Sequence, residues 1–214
     1  MSSREEVDYD ALEATTKIED ITNDDIKQGT LRSLRDDDGD LSHLWIRVGE
    51  EAYDHGEYHP ESSEELGWLG HFVKKSTRLE WFGIYGGDID IFHNCSEQSV
   101  DRFLDDLRKC NHIRKFHFIG NGLAEIIYKL GPAMKSNNIT HLSVGGCCLG
   151  VPEATFLFNT LRDMNSLEEL CIDCEEVEDL ANLECRQHCS VHPIARNLQG
   201  YANVETEWSE FEHQ

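Results

Sequence analysis

Apolar and polar positions repeat along this chain in an eleven-residue pattern. Five segments share it: "LSHLWIRVGEE" from Leu41, "LEWFGIYGGDI" from Leu79, "IRKFHFIGNGL" from Ile113, "ITHLSVGGCCL" from Ile139 and "LEELCIDCEEV" from Leu167. Places one, four and six are apolar in every copy, and place eleven is apolar in the last four. Alternation at places four and six puts two side chains on one face of a short strand. Strands are therefore expected near 42–47, 80–85, 114–119, 140–145 and 168–173. Place nine reads Gly49, Gly87, Asn121, Cys147 and Glu175, small or polar residues that suit a turn.

The segments between copies have helical spacing. Ser62 and Glu65 read as a capping box ahead of Leu66, Leu69 and Val73. Ser96 reads as the cap of the next helix, with Val100, Phe103, Leu104 and Leu107 at helical spacing. Ile126, Ile127, Leu130 and Met134 mark a third helix, which Gly131-Pro132 should kink or restart. Pro152 stands near the first turn of a fourth, with Leu157, Phe158 and Leu161. A lone strand and helix cannot cover an apolar face, but stacked neighbours can. The expected architecture is an α/β solenoid, with a curved parallel sheet on the concave side and helices on the convex side.

The pattern resembles the leucine-rich repeat, L-x-x-L-x-L-x-x-N/C-x-L, and the helical connections resemble its ribonuclease-inhibitor-like class. The copies from Ile113 and Ile139 match every marked place. Gly87 and Glu175 depart from place nine, and the copy from Leu41 departs at places nine and eleven. The resemblance covers residues 41–177 and implies a repeat array that binds another protein. The family usually runs to more repeats, so the array looks short at its C-terminal side. Residues 1–40 are expected to be an acidic tail or cap, in which Ile18, Ile21, Ile26, Leu31 and Leu34 could cover the first strand. Residues 178–214 are expected to hold a degraded last repeat or cap, with a possible strand at Leu198 and an acidic tail.

If places four and six point inward, places three, five and seven point outward. Place three reads His43, Trp81, Lys115, His141 and Glu169; place five, Trp45, Gly83, His117, Ser143 and Cys171; place seven, Arg47, Tyr85, Ile119, Gly145 and Asp173. The expected partner-binding residues are His43, Trp45, Arg47, Trp81, Tyr85, Lys115, His117 and His141, since Trp, Tyr and Arg are the side chains most enriched at binding hot spots.

Charge narrows the partner. The net charge is −23 over 214 residues, which argues against nucleic acid and is compatible with a basic protein. No apolar run is long enough for a membrane span, and "MSSREEVDYD" lacks the features of a secretory signal. An intracellular, cytoplasmic setting with reduced cysteines follows as an expectation. Four aspartates, Asp36, Asp37, Asp38 and Asp40, read as a solvated turn, because a calcium loop would need acids where Leu34 and Trp45 stand.

Cys171 and Cys174, followed by Cys185 and Cys189 with His188 and His192 nearby, make up a zinc-type inventory, and a zinc-stabilised adaptor is the alternative function. His141 and Ser143 share a face, but no orienting acid or nucleophile elbow accompanies them. No phosphate-binding or dinucleotide fingerprint is present, so neither an enzyme nor a cofactor is expected.

Overall fold

The computed structural model describes residues 7–47, 54–86, 92–120, 123–147 and 149–173. Three helices open the chain: α1 (Tyr9–Leu12), α2 (Ile18–Ile21) and α3 (Asp25–Arg35). Strand β1 (His43–Arg47) and a two-residue β2 (Glu57–Tyr58) follow. Helices then alternate with strands: α4 (Ser63–Val73), β3 (Trp81–Tyr85), α5 (Glu97–Lys109), β4 (Lys115–Ile119), α6 (Leu123–Asn137), β5 (His141–Gly145), α7 (Val151–Arg162) and β6 (Glu169–Asp173). The six strands form one parallel sheet in the order β2-β1-β3-β4-β5-β6. Each of α4, α5 and α6 packs against the next helix.

The register follows the repeat. Leu44 pairs with Phe82, Phe82 with Phe116, Phe116 with Leu142, and Leu142 with Leu170. The place-one and place-four residues and, from β1 to β5, the place-six residues are at most 8% exposed. They share one core cluster with helix residues such as Leu69, Phe103, Ile127 and Leu157. Trp45, Trp81 and Tyr85 do not belong to it. Ile119 is buried yet also outside it, as expected for the opposite sheet face. Cys147, the one place-nine residue among those described, is a buried thiol that donates to the carbonyls of Phe118 and Gly145.

Local chemistry sets the helix ends. The Ser62 hydroxyl accepts from the Glu65 N–H at 3.1 Å, and Ser96 caps α5 by accepting from Ser99 at 3.3 Å. The capping box is modified, however: the Glu65 carboxylate accepts from the N–H of Glu61, one residue before the cap. Helix α6 runs unbroken through Pro132, contrary to the expected kink or restart. Pro132 and Tyr128 both face solvent, so water can serve the carbonyl that proline cannot, while Ile127, Leu130 and Met134 hold the inner face. Asn138 takes a positive φ of 50° just beyond that helix, a conformation asparagine tolerates as a terminator.

Two features depart from expectation. The segment after β1 contributes β2, whose Gly56 carbonyl accepts from the Trp45 N–H at 2.8 Å, so β1 is not the sheet edge. Asp37 is not a solvated turn residue. Its carboxylate accepts from the Thr77 N–H at 2.7 Å and from both the Ser76 and Thr77 hydroxyls, tying the end of α3 to the loop before β3. Before β1, Leu31 and Leu34 are buried under the array while Ile26 is exposed.

Candidate functional site

The outward places form columns across the sheet, with neighbours ~4.8 Å apart. Glycine in the middle column determines how they fill. Gly83 has no side chain, and an added Cβ would lie 2.2 Å from the Trp45 ring. The Trp45 indole therefore leans across β3 and reaches His117 on β4, with ring centroids 5.6 Å apart. Trp81 stacks on His117 from the adjoining column at 5.2 Å and 12°. Lys115 places its ammonium 4.1 Å from the Trp81 centroid, within cation–π range.

His117 thus stands between two indoles. Its Nε2 is buried and has no hydrogen-bond partner. Burial pushes its imidazole down to about 4, with Lys115 and His141 adding to the effect and Glu169 opposing it. The ring is neutral at pH 7 and acts as a flat apolar spacer between the tryptophans.

The remaining expected residues sit around this cluster. Arg47 lies 5.6 Å from the Tyr85 ring centroid and donates to both carboxylate oxygens of Glu57, at 2.9 and 3.1 Å. That pairing depends on β2, so sequence spacing could not reveal it. His43 packs beside Gly56. His141 has both ring nitrogens engaged, by Glu169 at 3.1 Å and by the Thr140 hydroxyl at 2.7 Å, and so is not poised to activate Ser143. All eight residues lie on one face, each half-buried. Ile119 and Gly145 are buried within it. The outward places of β1, β3, β4 and β5 carry Arg47 and Lys115 and no carboxylate.

Of the alternative metal inventory, the described residues include Cys171, which is buried and disulfide-bonded. Cys174, Cys185, Cys189, His188 and His192, like the possible strand at Leu198, lie outside the described residues. Another cluster, Asp10, Glu13 and His71, brings three potential ligands within 4.8 Å of one another. A cation already occupies it: Lys75 pairs with both carboxylates, and its hydrogen bond holds the Asp10 carboxyl down to about 2.

No family model matches the chain, and no curated protein sequence does. Two of the solved structures that are similar in fold serve as comparisons. The structure of leiomodin-1 actin-binding site 2 is 12% identical, covers 89% of this chain and 99% of its own, and gives a TM-score of 0.50. A tropomodulin C-terminal domain from Caenorhabditis elegans is 16% identical, with 87% and 99% coverage and a TM-score of 0.49. The fold argument rests on the leiomodin-1 structure, together with the repeat register. The chain has a leucine-rich-repeat fold. No helix among the described residues is long and apolar enough to cross a membrane.

Proposed function

We propose that this chain is a non-enzymatic interaction module of the ribonuclease-inhibitor-like kind, holding a protein partner on the concave, helix-free sheet face. The observation that carries this reading is the Trp45–His117–Trp81 cluster. Large rings are kept half-exposed on the sheet, outside the core. Rings already ordered before binding lose less freedom on contact, which favours affinity. Lys115 and Tyr85 extend the patch. The charge of −23 steers a basic partner at long range, but the patch itself carries no acid on its first four repeat strands. Contact through rings should therefore weaken only a few-fold between about 50 and 200 mM salt, unlike polyelectrolyte binding.

Affinity capture from native extract, comparing the chain with its Trp45→Ala/Trp81→Ala double variant, tests the reading. A partner retained by the former and lost by the latter is expected, with affinity down by about tenfold or more. Unfolding free energy should change by about 1 kcal/mol or less for Trp81→Ala. A large loss of stability, or undiminished capture, would overturn the assignment of this face. The similar leiomodin-1 structure is that of an actin-binding site, so cosedimentation with filamentous actin is the first defined assay.

A further inference from the structure

On the helix side, residues 7–13 form a strap against α4, with Tyr9 as its plug. Tyr9 is 6% exposed and meets Trp68 edge-on at 4.7 Å. The Arg102 guanidinium stands 4.4 Å from its ring centroid. Its phenol oxygen fills the space a side chain at position 67 would need: a Cβ on Gly67 would lie 1.9 Å from it, and the three nearest atoms all belong to Tyr9. Further along, Glu13 bonds to His71 at 2.9 Å, and Asp10 pairs with Lys75 at 2.9 Å and Lys74 at 3.4 Å.

The strap is held by one ring, by the bond from Glu13 to the buried His71, and by several surface ion pairs. Asp10 is 62% exposed, and pairs of that kind contribute little. A four-residue helix has no stability of its own. Segments so constituted open locally, well below the free energy of global unfolding. When open, the strap offers "VDYDALE", in which Tyr9 is the sole hydroxyl among three carboxylates. A basic substrate groove is the complement of such a segment.

We propose that Tyr9 is a phosphorylation site, and that its modification releases the strap from α4. The phenol oxygen attacks the γ-phosphorus of a nucleoside triphosphate held by a tyrosine kinase, and its proton passes to the enzyme's base. The bond from that phosphorus to the bridging oxygen breaks, and the nucleoside diphosphate leaves. The product carries about −1.5 to −2 charge at pH 7. It cannot return to the docked position, because the phenol oxygen already lies against Gly67 with no room for a phosphate; burial opposes a charge there most, Arg102 favours it, and the carboxylates of Glu64 and Asp106 oppose it. Release uncovers Trp68, His71, Lys74 and Lys75, a surface quite different from the sheet face.

The test uses the full chain, a recombinant tyrosine kinase that accepts acidic substrates, and ATP with magnesium. Tyr9→Phe, Gly67→Ala and a synthetic peptide of residues 4–13 are run in parallel. Phosphate should map to Tyr9 by mass spectrometry and be missing at that position in Tyr9→Phe. The modified chain should lose amide protection over residues 63–75 and become cleavable after Glu13. Gly67→Ala meets Tyr9 first and favours helix, so it should keep its fold while raising the Tyr9 modification rate at least tenfold. The proposal fails if Tyr9 stays unmodified while the peptide is turned over. It fails equally if the modified chain keeps its exchange and cleavage pattern, or if Gly67→Ala leaves the rate unchanged.

Discussion

His117 shows what one buried ring contributes to a surface. Its folded pKa, about 4, lies below the unfolded value near 6.5, so the unfolded chain takes up a proton first as pH falls. The associated stability is complete above about pH 6.5, declines between 6.5 and 4, and is gone below. The shift corresponds to on the order of 2–3 kcal/mol. His117→Phe keeps a flat ring between the indoles and cannot titrate. Its melting temperature should therefore fall less than that of the parent between pH 6.5 and 4, and equal slopes would remove the buried-neutral assignment. Gly83 matters at the same scale. In Gly83→Ala the new methyl must push the Trp45 indole off β3. Because that indole is half-exposed and can yield, the cost should be near the low end of overpacking, about 1 kcal/mol. Tryptophan fluorescence and partner affinity should change far more than urea stability does.

Among the elements, α3 and α4 are joined by a buried cation. Lys27 is 1% exposed, with its ammonium 2.8 Å from Glu61 and 3.7 Å from the buried Glu65, and 5.7 Å from the Tyr58 centroid. The Glu61 pair is open to water and weak; the Glu65 contact is the consequential one. Lys27→Ala leaves that carboxylate buried without its cation and should cost about 3 kcal/mol in urea unfolding. Lys27→Met, which refills the stem's volume, should cost measurably less. A smaller loss for alanine than for methionine would mean that stem packing and carboxylate pairing are not what hold this joint. The caps behave more simply: Ser62→Ala removes one accepted N–H and should cost about 1 kcal/mol. Both the Ser62 and Ser96 caps were legible in the sequence because a cap is a contact between residues three apart. The fate of Pro132 was not, since whether a helix survives a proline depends on which side of it meets solvent.

Across the whole molecule, stability is shared between neighbouring repeats. The β1 end is covered by α2, α3 and β2, with Ile18, Leu31, Leu34 and Tyr58 buried there. Deleting residues 1–35 should expose the apolar side of the first repeat. Binding of a hydrophobic dye should rise and the unfolding transition should broaden, whereas a sharp, unchanged transition would show that the cap is dispensable. The strong negative charge acts at this scale too. It says nothing of the face itself, where Arg47 is paired with Glu57 of β2 and Lys115 stands over the Trp81 ring.

Alternation with a period of two is a local property, and it was enough to sort Leu44, Phe82, Phe116, Leu142 and Leu170 to one side and Trp45, Trp81 and His117 to the other. Repetition of that alternation implied parallel strands in register, because only stacking hides the apolar side. Contacts between residues distant in the chain had to wait for the folded molecule. Glu57 reaching Arg47, Trp45 crossing Gly83 to His117, Asp37 holding Thr77 and Tyr9 filling the space above Gly67 all depend on which neighbour leaves room. Room is set by packing in three dimensions, and no spacing along the chain encodes it.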